Sequence, residues 1–71
     1  MTGDQCKAGR ALAGLSQKAL AEPAEVAVAT VAAFERGERT PYRRTLEAIQ
    51  EALEAQGVQF TPDGVRSTRT S

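Results

Sequence analysis

The chain has no histidine, no tryptophan, one cysteine and one methionine, and its formal net charge at neutral pH is zero. A single cysteine, Cys6, cannot close an intramolecular disulfide, and without histidine no Cys/His zinc cluster can be assembled. The commonest general base is also missing. No serine–base pair or glycine-rich phosphate loop stands in for it, so no enzyme chemistry, metal or cofactor is expected. No apolar run is long enough to span a bilayer and no signal-peptide pattern is present, which points to a cytoplasmic protein without membrane contact. Aromatics are only 4% of the 71 residues against 41% hydrophobic overall, so the core must be built from alanine, valine and leucine around two phenylalanines. Alanine buries little area, and one small domain of modest stability is expected, for which dimerisation is a natural supplement.

What is present is concentrated in residues 15–37, LSQKALAEPAEVAVATVAAFERG. Ser16 is suited to cap a helix from Gln17 to Ala24, whose Ala19, Leu20 and Ala24 share a face. A further helix is expected from about Val28 to Arg36, with Val31 and Phe34 on one side and Gly37 as a left-handed terminator. Leu15, Leu20, Val26, Val31 and Phe34 then close on one another across a tight turn, which is a helix-turn-helix. Before it, Asp4 is placed to cap a helix running to about Ala13, with Cys6 and Leu12 inward, Gly14 closing it and residues 1–3 frayed.

The segment LSQKALA, then Val26 with Thr30 and Val31, then FERGERTP, resembles the phage-repressor/Cro-like helix-turn-helix family, the Xre-type transcription regulators, over about residues 6–53. The fold expected is all-α, a four-to-five-helix repressor-like domain with a short C-terminal β-strand or hairpin. The resemblance implies a sequence-specific regulator, a repressor, acting as a small homodimer on double-stranded DNA, with the helix from Val28 in the major groove. It implies a structural salt bridge between Arg10 and Glu35. It also implies that Gln17 meets a phosphate at a helix N-terminus, with Lys18 beside it adding a less specific contact.

Charge is unevenly spread. Residues 36–44 hold four arginines (Arg36, Arg39, Arg43, Arg44) and one glutamate, whereas residues 47–54 hold three glutamates and no base. One end is expected to be basic, although ordinary charge scatter on a solvated loop gives the same count. Arg39, Arg43 and Arg44 flank the place where the family's loop and next helix meet the DNA backbone, and are assigned as phosphate contacts. Arg43 has a second reading, a pair with Glu47 four residues on.

Three residues depart from the family at the turn. Pro23 falls inside the second helix, Glu25 stands where the family has a glycine in left-handed backbone, and Ala27 replaces the usual Ser or Thr cap. Either the second helix ends at residue 21 or 22 and the turn is rebuilt, or the motif is strained. The recognition helix departs further. Val28, Ala29, Thr30 and Ala33 are assigned to the DNA-facing surface, with Ala27 and Ala32 alongside, and apart from the Thr30 hydroxyl, which is placed to reach a phosphate, none can donate or accept a hydrogen bond. Specificity must then come from thymine methyls, DNA shape or the half-site spacing of a dimer. The competing reading is a protein-interaction module, antitoxin- or antiactivator-like, whose apolar helix binds a protein partner.

Pro41 is expected to open a fourth helix with Leu46, Ile49 and Leu53 inward, reaching about Gln56 and stopping at Gly57. Tyr42 either stacks on the core or turns its hydroxyl to a phosphate. Val58 and Phe60 alternate with polar residues, and Thr61-Pro62-Asp63-Gly64 reads as a turn returning Val65 near Phe60. Residues 1–57 thus form the helix-turn-helix unit. Residues 58–66 form a hairpin expected to dimerise through Val58, Phe60 and Val65, unless Phe60 caps the core of its own chain. Residues 67–71 form a disordered tail, where Arg69, with Arg66 just before it, adds weak phosphate attraction.

Overall fold

A computed structural model describes residues 1–68, as four helices followed by a two-stranded antiparallel hairpin. The first helix, α1 (Gly3–Ala13), starts at Thr2 rather than at Asp4. Thr2 and Gln5 form a capping box: the Gln5 N–H donates to Thr2 Oγ1 at 3.1 Å and the Thr2 N–H donates to Gln5 Oε1 at 2.8 Å. Residues 1–3 are therefore not frayed, and Met1 packs against the core. Leu12, expected inward, is 48% exposed.

The helix α2 (Gln17–Ala24) is capped by Ser16, whose Oγ accepts from the Ala19 N–H at 3.0 Å. It does not end early. Pro23 is held inside it on the exposed side, so the Ala19 carbonyl loses its helical donor there. The helix α3 (Val28–Glu35) begins at Ala27 with no side-chain cap and buries Val31 and Phe34. The helix α4 (Arg43–Ala55) buries Ile49 and Leu53 and starts after Tyr42. Pro41 is not its first residue but lies two positions ahead of it, buried.

One terminator is used three times, with an exception. After α1 the Gly14 and Leu15 N–H groups donate back to Ala11 and Arg10, and after α3 those of Gly37 and Glu38 donate to Phe34 and Ala33. After α2 the same pair of bonds runs from Glu25 and Val26 to Glu22 and Ala21. The pivot residue is left-handed each time, at φ 70° for Gly14, 75° for Gly37 and 57° for Glu25. Only Glu25 carries a Cβ there. Relieving it by Glu25→Gly is expected to raise stability by about 1 kcal/mol, which thermal denaturation should register as a rise of roughly 4–8 °C.

The hairpin pairs β1 (Val58–Thr61) with β2 (Gly64–Ser67), placing Phe60 opposite Val65 and Val58 opposite Ser67. Ser67, expected in a disordered tail, instead completes β2, and the ladder continues as the Thr68 N–H donates to the Gly57 carbonyl. Arg69 lies outside the described residues. The hairpin lies on α1 and α4, and Gln5 fastens it there: its Nε2 donates to the Thr61 and Gly64 carbonyls at 2.8 and 3.0 Å. The core gathers Cys6, Leu20, Ala21, Ala24, Val31, Phe34, Ile49, Leu53 and Val58 from every element except β2. No helix among the described residues is long and apolar enough to cross a membrane.

The start of α1 runs tight against the end of α3. A Cβ on Gly3 would fall on the Phe34 carbonyl oxygen and lie 3.1 Å from Glu35 Cα, backbone that cannot swing aside. Gly3→Ala is expected to cost about 2 kcal/mol by overpacking, read as a lower urea midpoint.

Candidate nucleic-acid interface

The presentation of α3 is controlled from its inner side by Glu35. Arg10 on α1 forks onto this carboxylate, Nε to Oε2 and Nη2 to Oε1, each at 2.7 Å. Its third nitrogen, Nη1, donates to the Leu15 carbonyl at 2.9 Å and so ties down the link between α1 and α2. Gln17 Nε2 adds a bond to Glu35 Oε1 at 3.2 Å and Cys6 Sγ one to Oε2 at 3.2 Å. One carboxylate thus gathers donors from α1 and α2 and fixes the angle at which α3 stands.

The Glu35 side chain is only 5% exposed. Burial alone would raise its carboxyl, but the hydrogen bonds from Arg10, Gln17 and Cys6 and the Arg10 charge outweigh that and hold it below its ordinary value. The Cys6 thiol is pushed up to about 12 by burial first and then by its bond to Glu35. It is a neutral donor in the core and an unreactive one.

Sequence reasoning placed Gln17 at a phosphate and did not connect it, or Cys6, with Glu35. In the structure the Gln17 side-chain nitrogen is spent on Glu35. What remains at the start of α2 for an anion is the pair of backbone N–H groups of Gln17 and Lys18, since Ser16 takes those of Ala19 and Leu20.

The outer side of α3 follows from its inner one. At about 100° per residue, the buried Val31, Phe34 and Glu35 place Ala29 and Ala33 on the opposite side, with Val28 and Ala32 along one flank and Thr30 along the other. Ala27, Val28 and Ala29 are exposed, Val28 at 41%. Ala32, Ala33 and Thr30 are half-buried. Thr30 and Ala27 line an open groove of about 610 Å³ whose far wall is Arg39, Thr40, Pro41, Tyr42 and Thr45.

The arginine cluster divides. Arg36 is paired with Glu38 at 2.7 Å and Arg43 with Glu47 at 3.3 Å, both pairs at the surface. Of the two readings of Arg43, the structure displays the local pair, worth only tenths of a kcal/mol. Arg39, Arg44 and Lys18 are exposed and have no acidic partner among the described residues. Tyr42, at 88% exposure, does not stack on the core.

The hairpin residues face inward. Alternation puts Val58 and Phe60 on one face, and the register adds Val65 to it. That face lies on the chain's own core. Val58, expected at a dimer contact, is 3% exposed and is corrected to a core residue, whereas Phe60 and Val65 stay half-buried at its edge.

A capped α2, a tight turn and an α3 whose Thr30 flank shares an open groove with the unpaired Arg39 define the class: a helix-turn-helix protein of the DNA-binding kind. A family model described as helix-turn-helix domain matches residues 3–61, and the chain belongs to that family. The match stops at the end of β1, so β2 lies beyond it. A comparison with curated proteins gave no match.

Proposed function

We propose that this chain is a transcription regulator of the Xre, repressor-like type, which binds double-stranded DNA as a homodimer inside the cell and represses. The observation that carries this reading is Arg39, exposed and without an acidic partner, across the groove that Thr30 of α3 lines, with Lys18 and Arg44 likewise exposed and unpaired on the neighbouring helices. Phosphates lie on both sides of the major groove, so a helix seated there needs cations on its flanks and none on the side facing its own core. The Gln17 backbone N–H, Lys18, Arg39 and Arg44 hold the phosphates, Arg43 joins them once it leaves Glu47, and Val28, Ala29, Thr30 and Ala33 face the groove. The exposed parts of Phe60 and Val65 supply the dimer contact.

Fluorescence anisotropy with labelled DNA from upstream of the protein's own gene, at several salt concentrations and against a scrambled duplex, tests the reading. Tighter binding to the native duplex is expected, with affinity falling linearly in log salt. Equal weak binding to both, or none, would overturn it in favour of a protein partner for α3. Sedimentation equilibrium against the 7.5 kDa monomer tests the dimer.

A further inference from the structure

A helix that reads bases must distinguish what the major groove displays. Thymine and cytosine differ there at two points: position 4, an acceptor on thymine and a donor on cytosine, and position 5, where thymine carries a methyl group. Reading position 4 requires a side-chain donor or acceptor. On the outward side of α3 the described structure offers Ala29 and Ala33, with Val28 and Ala32 along one flank, and the one side-chain polar atom of the helix outside its inner side is the Thr30 hydroxyl on the flank toward Arg39. A hydroxyl both donates and accepts, so it does not separate the two bases either. Position 5 is different. A methyl group is recognised by burial against apolar surface, which this face supplies along its length.

The dimensions and the charge agree with such a contact. Alanine side chains end at Cβ, so nothing long holds the helix backbone away from the floor of the groove. Arg39, across the groove from Thr30, is a long exposed side chain able to reach a phosphate from a helix seated deep, and Lys18 and Arg44 on the adjoining helices are exposed too. The only carboxylate of α3, Glu35, is turned inward and engaged by Arg10. An apolar ridge with a free cation beside it complements a groove with methyl groups on its floor and phosphates along its walls.

We propose that α3 reads the C5-methyl group of pyrimidines through Val28, Ala29, Ala32 and Ala33, so that 5-methylcytosine replaces thymine as ligand and cytosine methylation creates binding sites. This rests on the DNA reading above. It makes the protein responsive to a covalent mark on DNA, because an unmethylated C·G pair opposite α3 is a weak position and the methylated pair a strong one.

The test uses a duplex of about 20 base pairs enriched by the protein itself from a randomised library, long enough for two half-sites a helical turn apart. Four forms are compared by anisotropy: the selected duplex, one with deoxyuridine for the thymines opposite α3, one with C·G for those T·A pairs, and one with 5-methylcytosine in the C·G pairs. Each lost methyl is expected to weaken binding about fourfold, the value of burying one such group. The 5-methylcytosine duplex should return to within about twofold of the selected one. Val28→Ala, at an exposed position, should narrow the thymine-to-uracil ratio and leave the salt slope unchanged. Equal binding of the thymine and uracil duplexes overturns the proposal. So does failure of 5-methylcytosine to restore binding, which would mean that base identity or shape is read instead. Absence of enrichment and of salt-dependent binding to any duplex overturns the DNA reading itself, and the proposal with it.

Discussion

Arg10→Met is expected to cost about 3 kcal/mol, at the lower end for breaking a buried ion pair because the Arg10 side chain keeps some solvent contact. The loss has three parts. Glu35 stays buried without its cation, the Leu15 carbonyl loses its donor, and the angle between α1 and α3 is no longer fixed by a forked contact. A chain of this length is expected to be stable by only about 4–11 kcal/mol, so the change removes a large share of the total. Urea denaturation of the wild type and the variant measures it. The double variant Arg10→Met, Glu35→Met should regain most of the loss, since an apolar pair leaves no charge stranded. If the double variant is as unstable as the sum of the single ones, the pair is not the unit that matters.

The same site makes a claim about pH, and its sign can be worked out. In the wild type the folded Glu35 carboxyl lies below its unfolded value, so its contribution is complete above that value and disappears as pH falls through the folded one. In Arg10→Met only the hydrogen bonds from Gln17 and Cys6 still oppose burial, the folded carboxyl rises from its wild-type position, and the charge left without its cation is a penalty that acidification relieves. The gap between the two proteins should therefore close on going from neutral pH to about pH 4, near the carboxylate's ordinary range. A gap independent of pH would mean that Arg10 acts through packing alone.

The elements were legible where their signals are local. Ser16, the glycines at 14 and 37, and the spacing of Leu20, Val31 and Phe34 act within a turn or two of chain, and the structure has the helices they indicate. Local signals also explain two of the misreadings. Thr2 and Gln5 form a capping box written plainly in residues 2–5, and it takes the place expected of Asp4. Leu12 is six residues beyond Cys6, about 120° around the helix from it, so the two never shared a face. The residues that line up inward with Cys6 are Gly3, Gly9 and Ala13, too small to be marked by hydropathy.

Other features were not legible, because they depend on how elements are set against each other. Whether the Gln17 amide points to a phosphate or to Glu35 is decided by the packing of α2 on α3, and the donation from Cys6 needs α1 in place as well. The Arg10–Glu35 bridge joins residues 25 positions apart and was expected only through family resemblance. Val58 shows the limit of strand periodicity. Alternation told which residues share a face, and only the docking of the hairpin on α1 and α4 told that this face is the inner one.

Replacing both Arg39 and Arg44 by alanine is expected to lower DNA affinity about a hundredfold, tenfold for each charged contact, with no change in stability. Neither side chain is buried or paired, so the folded domain does not depend on them. The slope of log affinity against log salt should fall by about 1.8, close to 0.9 for each phosphate contact removed. The loss should be uniform across duplexes, because a phosphate contact positions the helix and carries no sequence information. Arg43→Ala should lose less than either, since that guanidinium must first leave Glu47. A double variant that keeps its salt slope, or that changes base preference, would overturn the phosphate assignment. The ratio between thymine and uracil duplexes should survive the double replacement while absolute affinity drops. The two experiments thus separate the cationic flanks, which hold the backbone, from the apolar face of α3, which faces the bases.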